Sequence, residues 1–398
     1  MTISGIDLVL CLAALPVLAI SLYLAVLALL ARQKQITAPV APRTRFEIVV
    51  PAHDEETTIA RTIESLVALD YPRELFRVLV VADNCRDRTA ERAAAAGAGV
   101  LVRDEAGRRG KGYALAAAFD HCLSGGFADA VVVVDADTVV SRNLLRAFAS
   151  RFESQAAAVQ AEYGVLNSRS SWRTRLMTIA LAAFHGVRSL ARERLGLSCG
   201  LRGNGMGLAA ATLRAVPYRA FSIVEDVEYG LQLGYAGYRV QYVPDARVLG
   251  DMAVSEMASR SQRHRWERGR LALAYRHVPS LLAGAWRRRD PVLLDLALDL
   301  LVPPLAEIVA ASVIGCALCL AAIRLGGRVS VAPVLWAAAA GGLLLYVGRG
   351  WRHSGSGLRG LADLLWAPAY VAWKIAQRLR GKRSGEDDWI RTTREVKM

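Results

Sequence analysis

The feature that most constrains the fold is the run at residues 131–140, VVVVDADTVV. Four consecutive valines are typical of a strand that is buried on both faces of a parallel sheet. The run leads into Asp135 and Asp137, and the ligands of open α/β sheets bind at the carboxyl ends of strands. Two carboxylates there can bridge a divalent cation to the phosphates of a nucleotide. Asp-x-Asp alone is equally typical of an acidic turn, so other parts of the chain have to decide between these interpretations.

Short apolar segments alternate with helical patterns upstream of this run. Strands are predicted at 46–50, 78–82 and 100–103, and helices at 57–69, 89–96 and 113–122. Strands that alternate with helices predict a doubly wound, mainly parallel α/β sheet. Acidic loops follow the strands that end near 50, 82 and 134, and Lys111 opens the last helix. Because the carboxyl ends of parallel strands meet at one edge of a sheet, we expect these loops and Lys111 to form one nucleotide site.

The composition excludes a wholly soluble protein. The chain has 398 residues, of which 54% are hydrophobic, and its mean hydropathy is positive. A net charge of +14 suits a nucleic acid or an anionic membrane surface. Zinc-finger patterns and clustered basic repeats are missing from the sequence, so we expect anionic membrane lipids as partners and no nucleic acid. The six cysteines are scattered and are interpreted as reduced, buried residues.

Three apolar runs are predicted to cross a membrane. Residues 8–31 carry no charge and exceed the length needed for a hydrocarbon core of ~30 Å. Basic residues follow this run, which favours a transmembrane helix over a cleaved signal peptide and places the next segment in the cytoplasm. Residues 308–323, extended back to 300, and 329–347 are predicted to form a hairpin with both ends in the cytoplasm. We therefore expect a multi-pass protein of the cytoplasmic membrane with a cytoplasmic catalytic domain.

Other segments are predicted to lie in the membrane interface. Residues 172–195 combine apolar residues at helical spacing with five arginines and a tryptophan, as interfacial helices do. A core-facing helix of a soluble domain is the alternative. Asp295 and Asp299 share a helix face, and their solvation at headgroup level is favoured over a role in lining an acceptor path. Residues 358–379, with Pro368 and several aromatic residues, predict an interfacial or re-entrant helix.

Three segments after the valine strand carry groups suited to sugar transfer. The glycines around Asn204 allow close approach of the backbone to a ligand. Glu225 and Asp226 point in different directions on a helix, so that one can act as a base; an acidic first helical turn is the alternative. Residues 262–266, QRHRW, suit a diphosphate and stacking on a sugar ring, or else form a basic face on the solvent or the membrane.

These motifs together resemble a known family. Asp83, the Asp-x-Asp pair, Glu225-Asp226 and 262–266 occur in the order of the D, DxD, ED, QxxRW set. The chain from about 46 to 270 therefore resembles the membrane-embedded family 2 glycosyltransferases, which include cellulose, hyaluronan and poly-N-acetylglucosamine synthases. The resemblance implies a GT-A-like catalytic domain and transfer of a hexose from a uridine diphosphate sugar. It also implies dependence on Mg²⁺ or Mn²⁺. With one base and no second carboxylate placed as a nucleophile, the simplest reaction is a single displacement with inversion.

The resemblance assigns roles to individual residues. The residues implied to bind the nucleotide sugar are Ala52, Asp54, Glu55, Asp83, Lys111 and Asp135. Those implied to bind the metal are Asp135 and Asp137. Asp226 is implied as the general base, with Glu225 beside it and Arg265 stabilising the departing diphosphate. The residues implied to bind the acceptor are Trp266, Gln262, Arg263 and Asn204.

The predicted organisation places the catalytic domain between membrane segments. The predicted segments are a transmembrane helix at 1–31, a linker at 32–45, the GT-A-like domain at 46–270, an interfacial segment at 271–291, the hairpin at 292–347, and an interfacial helix with a cytoplasmic tail at 348–398. The acceptor is predicted to be a growing polysaccharide, with an oligomer or a secretion partner to help export it. Transfer of one or a few sugars to a lipid is the alternative, as is a non-catalytic nucleotide-sugar-binding subunit.

Overall fold

The computed structural model describes residues 4–33, 41–252 and 256–368, with the side chains of 256–265 left out. The chain forms two compact units. The first, called the helical unit, comprises the described parts of Met1–Arg32, Arg175–Ala191 and Val302–Glu386. The second, called the sheet unit, comprises the described parts of Gln33–Thr174 and Arg192–Leu301.

The strands are β1 Phe46–Ala52, β2 Phe76–Asp83, β3 Gly99–Arg103, β4 Ala130–Val133, β5 Thr138–Val140, β6 Ala158–Val165, β7 Met206–Ala209 and β8 Val240–Gly250. The helices up to the last sheet strand are α1 Gly5–Leu30, α2 Ile59–Val67, α3 Thr89–Ala95, α4 Lys111–Gly125, α5 Leu144–Phe152, α6 Trp172–Leu181, α7 Arg188–Arg194, α8 Ala210–Ala215 and α9 Glu225–Tyr235. The later helices are α10 Glu256–Arg288, α11 Pro291–Leu301, α12 Leu305–Arg324, α13 Ala332–Ser354 and α14 Gly357–Asp363. A π-helical turn, Ala182–Val187, joins α6 to α7.

The sheet unit is built on one eight-stranded sheet in the order β3-β2-β1-β4-β7-β6-β8-β5. Its first four strands are parallel, as the sequence predicts. Val131, Val132 and Val133 are fully buried in β4, which explains why this strand is an unbroken valine run. The turn with Asp135 and Asp137 follows β4 directly. The predicted position of the Asp-x-Asp pair at a strand end is therefore confirmed.

The sheet is mixed, whereas the sequence predicted a mainly parallel one. β7 runs antiparallel to both β4 and β6, and β5 runs antiparallel to β8. The first four strands form a continuous parallel array, and β6 and β8 also pair in parallel. Short strands such as β5 and β7 follow turns and glycine-rich chain, where local pattern does not specify the direction of pairing. A mixed sheet with a parallel first half agrees with the GT-A-like fold that the resemblance implies.

The segment 172–194 is one helical stretch, but two of its arginines are buried, unlike the arginines expected of an interfacial helix. Arg188 and Arg192 are 3% and 1% exposed, so neither of them is available to lipid headgroups. Arg192 lies 2.9 Å from Asp295 and 2.6 Å from Asp299. Arg270 of α10 also contacts Asp299, at 3.0 Å. The predicted headgroup-level solvation of Asp295 and Asp299 is therefore wrong, because both carboxylates are buried and paired with arginines.

The helical unit contains three helices that are long and apolar enough to cross a membrane: α1, α12 and α13. The prediction that the second of these extends back to residue 300 is wrong, since α11 ends at Leu301 and α12 begins after Pro303-Pro304. The carboxylate of Asp7, near the start of α1, accepts backbone N–H groups of Ser330, Val331 and Ala332. It thereby satisfies donors at the N-terminus of α13 that the helix itself leaves unpaired.

Candidate active site

Lys111, the first residue of α4, connects the parts of the candidate site. Its Nζ donates to Asp135 Oδ1 at 2.5 Å and to the carbonyl of Gly203 at 2.7 Å. The same Nζ lies 3.8 Å from Glu225 Oε1. The Lys111 and Asp135 side chains keep 20% and 31% of their surfaces exposed, so a ligand can reach both. The structure thus brings together Lys111, the Asp-x-Asp turn and the Glu225-Asp226 pair, which the sequence predicted to share one site.

Gly203 lies at the centre of this arrangement. Its φ of +70° favours glycine, and a Cβ there would lie 3.2 Å from Lys111 Nζ and 3.4 Å from Asp226 Oδ2. Asp226 is half-buried in the first turn of α9, while Glu225 is buried. The close approach of the backbone at Gly203 leaves the Asp226 carboxylate beside the Lys111 ammonium.

The charges of this cluster shift the protonation of its members. Burial raises the pKa of Glu225 and that of Asp226, and the Lys111 ammonium opposes both rises. Burial lowers the pKa of Lys111, but attraction to Asp135 and Glu225 outweighs it, so the net pKa is raised. Lys111 therefore stays charged, and the two carboxyls bind a proton more tightly than ordinary acidic side chains. A group that accepts a proton during a reaction needs this property.

Asp135 and Asp137 offer the carboxylate oxygens that Mg²⁺ and Mn²⁺ prefer. Both side chains are half-buried at the turn between β4 and β5. Asp135 uses Oδ1 for Lys111, and Asp137 Oδ1 accepts from the hydroxyl of Thr138 at 3.3 Å. The pair fits a divalent cation that also binds phosphate oxygens.

Asn204 lies beneath the Asp-x-Asp turn. Its side-chain oxygen accepts the N–H of Asp135 at 3.2 Å, and its side-chain nitrogen donates to Thr138 at 2.8 Å. The residue is only 1% exposed. Buried Gln160 of β6 donates to the carbonyl of Asn204 at 2.8 Å and accepts from the N–H of Arg202 at 2.9 Å. This placement favours a role for Asn204 in positioning Asp135 over the predicted contact with an acceptor.

Asp83, the last residue of β2, is fully buried with one carboxylate oxygen paired and the other unpaired. Its Oδ1 accepts from Arg103 at 2.5 Å and from Asn84 at 3.0 Å. Its Oδ2 is buried and has no hydrogen-bond partner among the described residues. An unsatisfied buried carboxylate oxygen costs free energy that a ligand donor would recover. Asp83 therefore has the features expected of a residue that binds a nucleoside.

Hydrogen bonds hold the loop after β1 in place. Ala52 is buried, and its carbonyl accepts from the thiol of Cys85 at 3.5 Å. The Asp54 carboxylate accepts the N–H of Arg86 at 2.7 Å, and Glu55 accepts from the hydroxyl of Thr58 at 2.8 Å. The bonds from Cys85 and Arg86 attach the β1 loop to the β2 loop beside Asp83, and Asp54 remains partly exposed at this edge.

The QRHRW segment lies in α10, which packs directly behind the acidic pair. A Cβ on Gly269 would lie 2.6 Å from Ile223 and 3.0 Å from Val224, the two residues before Glu225. Trp266, one turn earlier, is 39% exposed. The side chains of the other predicted residues of this motif lie outside the described part of the chain: Gln262, Arg263 and Arg265.

Residues 42–269 match the family model described as "Glycosyltransferase like family 2". The chain belongs to this family. The match covers more than half of the chain and includes the Asp-x-Asp turn, the Glu225-Asp226 pair and Trp266. Within the matched range, Lys111, Asp135 and Asp226 lie around Gly203.

Two curated relatives and one solved structure resemble this family 2 glycosyltransferase. The beta-monoglucosyldiacylglycerol synthase of Synechocystis is 26% identical over 65% of this chain and 61% of its own length. An N-acetylglucosaminyltransferase of Rhizobium meliloti is 25% identical over 60% of this chain and 59% of its own. The chain thus spans about 60% of the length of these curated relatives. The mannosyltransferase PcManGT of Pyrobaculum calidifontis, solved with GDP-Man and Mn²⁺, has 19% identity and a TM-score of 0.55, covering 92% of this chain and 99% of its own. This last likeness concerns the fold.

The sequence did not predict the role of two residues that support the candidate site. Arg103 holds Asp83, and Gln160 holds the backbone of the 202–205 loop. Arg103 could have been found, because it ends β3 at the edge where the neighbouring strand ends at Asp83. Gln160 lies on a mostly apolar strand and gave no comparable signal, since its partners are more than 40 residues away.

Proposed function

We propose that this protein transfers a hexose from a nucleotide sugar to a hydroxyl group of a membrane-associated acceptor, with inversion at the anomeric carbon. The observation that carries the proposal is the meeting of Lys111, Asp135 and Asp226 around Gly203. The Lys111 ammonium and a divalent cation held by the Asp-x-Asp carboxylates would suit a diphosphate, and the separate Asp226 carboxylate suits the proton of an attacking hydroxyl.

The donor is proposed to enter between the ends of the parallel strands. The unpaired Oδ2 of Asp83 suits an N–H group of a nucleobase such as uracil. Asp54 lies at the same edge of the sheet. Lys111 supplies positive charge for the phosphates. Ligands of open α/β sheets bind at this edge.

A divalent cation is proposed to be held by Asp137 and Asp135. When bound, it would neutralise charge on the departing diphosphate. Lys111 contributes a fixed charge at the same place, and the resemblance of the QxxRW motif adds Arg265. Asp226 takes the proton of the acceptor hydroxyl as the new bond to the sugar forms and the bond to the diphosphate breaks. A positioned base of this kind contributes roughly 10² to 10⁴ in rate.

The acceptor is proposed to be a membrane lipid. Exposed apolar residues follow one face of α10, at Leu271, Tyr275, Leu282 and Trp286, and Arg287 comes next. An exposed apolar face with basic residues at its end is typical of a surface that enters the membrane interface. The Synechocystis relative is named for a glucolipid product. A growing polysaccharide remains the second candidate, because of the resemblance of the motif set to polysaccharide synthases.

The test is to incubate the purified full-length protein with labelled nucleotide sugars and either membrane lipids or oligosaccharides. We expect labelled glycolipid from one donor and no labelled polymer. Labelled polymer without glycolipid would replace the lipid acceptor by a polysaccharide. Donor binding without either product or hydrolysis would indicate a non-catalytic subunit.

Metal dependence follows from the Asp-x-Asp turn. We expect excess chelator to stop transfer and added Mg²⁺ or Mn²⁺ to restore it. Asp137→Asn removes one charged ligand, so the metal concentration for half-maximal activity should rise roughly tenfold or more. Loss of a residue that only hydrogen-bonds to a metal ligand already lowers metal affinity by about that factor. The measurement is the initial rate at a series of metal concentrations. Glu91→Gln, on an exposed residue of α3, is the control. Full turnover in chelator would contradict the prediction.

The membrane topology can be tested with two exposed leucines. Leu325 follows α12 and is 88% exposed, whereas Leu358 follows α13 and is 79% exposed. If the catalytic domain is cytoplasmic, a cysteine replacing Leu325 in a cysteine-free background should react with an impermeant reagent in intact cells. A cysteine replacing Leu358 should react only after lysis. The reverse pattern would refute the cytoplasmic placement.

A further inference from the structure

A cavity of about 200 Å³ lies in the helical unit, away from the candidate active site. The residues that line it are Ala31, Val187, Leu190, Arg349, Arg352 and His353. Three of these are basic and three are apolar, and none of the described lining residues is acidic. Such a cavity suits a ligand with an anionic group joined to an apolar body.

The walls of the cavity are held by close packing. A Cβ on Gly186, in the π-helical turn, would clash with the ring of His353, so the ring packs directly against the backbone there. One turn earlier on α13, a Cβ on Gly350 would lie 2.6 Å from Ala183. The turn and the last part of α13 are therefore locked together, with Val187 and Leu190 facing the same cavity as His353. The cavity is preformed.

Arg349 is oriented by the end of α1. Its Nε donates to the carbonyl of Ala28 at 3.1 Å, and its Nη2 donates to that of Ala31 at 2.5 Å. These bonds neutralise the carbonyl end of the helix and fix the guanidinium at the cavity wall. They leave Nη1 without a bond to any described residue. A guanidinium in a fixed orientation is well suited to phosphate oxygens.

Arg352 is the second cation of the cavity and has no partner in the described part of the chain. It is exposed and makes no hydrogen bond or ion pair there. The acidic residue Asp363, also in this unit, is occupied by Arg175. The positive charge at the cavity is therefore not neutralised by the described neighbours of Arg352.

The position of the cavity along the helices indicates its depth. Ala31 directly follows α1, and Arg349, Arg352 and His353 lie in the last turns of α13. Both helices are apolar enough to span a membrane. Basic residues at the ends of such helices lie at the level of the lipid headgroups.

We propose that this cavity binds the phosphate of an anionic phospholipid. Arg349 and Arg352 donate to the phosphate oxygens, and Val187 and Leu190 contact the apolar part of the lipid next to the headgroup. A zwitterionic lipid carries a cation beside its phosphate, which the two arginines disfavour. A free phosphate ion lacks the apolar part that the other half of the cavity suits.

The test measures thermal unfolding of the purified full-length protein in detergent with added phosphatidylglycerol, phosphatidylcholine or inorganic phosphate. We expect phosphatidylglycerol to raise the unfolding midpoint and the other two to leave it nearly unchanged at equal concentration. In Arg352→Gln, the phosphatidylglycerol concentration for the half-maximal rise should increase about fivefold, the effect of one basic residue near an anionic lipid. Arg352→Glu should abolish the rise.

Arg359→Gln is the matched control. Arg359 is exposed in α14, belongs to the same unit and does not line the cavity. It should respond to phosphatidylglycerol as the wild type does. Since Arg352 makes no described contact, its variants should unfold at the wild-type midpoint without lipid. An equal response of Arg352→Gln and Arg359→Gln would overturn the proposal. An equal rise with inorganic phosphate would assign the cavity to a free ion instead.

Discussion

Asp226→Asn should reduce the rate of sugar transfer roughly 10²- to 10⁴-fold while leaving nucleotide-sugar affinity close to that of the wild type. Asparagine keeps the shape of the side chain but cannot accept the proton of the acceptor hydroxyl. Asp226 packs beside Gly203, where a Cβ would lie 3.4 Å from its Oδ2, so asparagine keeps this packing while removing the proton acceptor. Donor affinity by calorimetry and initial rates of transfer in the same detergent measure the two effects.

A control variant in the same helix shows whether the effect is specific to Asp226. Glu228→Gln is the control, because Glu228 accepts the N–H of Ser222 at 3.0 Å and the amide oxygen of glutamine can do the same. Its transfer rate should stay near that of the wild type. A wild-type rate in Asp226→Asn would remove this residue from the mechanism. Glu225, which faces Lys111, would then be the next candidate for the base.

Arg192→Met should lower the free energy of unfolding of the sheet unit by about 3–5 kcal/mol, the usual cost of breaking a buried ion pair by removing one partner. Arg192 is 1% exposed and lies between Asp295 and Asp299. Methionine keeps much of the side-chain volume but leaves these two buried carboxylates with less positive charge. Arg270 remains 3.0 Å from Asp299 in the variant, but the pair between Arg192 and Asp295 is lost. Denaturant unfolding in detergent measures the loss.

Arg247→Met is the control for this second effect. Arg247 pairs with Glu162 at 3.2 Å, but its side chain is 64% exposed. Exposed pairs contribute about 0–1 kcal/mol, so this variant should remain close to the wild type. Equal stabilities of the two variants would show that the buried network contributes no more than a surface pair.

The buried network has a consequence for the active site. Arg270 lies one turn after Trp266 in α10, and Asp299 ties it to Arg192. The same turn of α10 packs on Ile223 and Val224, which precede the acidic pair. A weakened network should therefore also disturb the position of Trp266 relative to Asp226.

Several features of this protein were predictable because they depend on local sequence. A long uncharged run such as that of α1 forms all its backbone hydrogen bonds within itself when it is helical, so a helix is expected from the run alone. The valines of β4 predict a buried strand in the same way, and the Asp-x-Asp pair must then lie at its end. The order of the acidic motifs also carried the resemblance to family 2 glycosyltransferases, which the family match supports.

Only the tertiary structure decided which charged groups meet. The sequence showed Asp295 and Asp299 on one helix face, but their partner Arg192 is about a hundred residues away, so composition nearby suggested solvated carboxylates. The sequence predicted that Asn204 contacts the acceptor, but its side chain accepts the N–H of Asp135, 69 residues earlier in the chain. Hydrophobic periodicity specifies which face of an element is buried, whereas the pairing of buried polar groups depends on how distant elements pack. The strands and the long apolar helices of this protein are therefore local properties, and the geometry around Lys111 and Gly203 is a property of the fold.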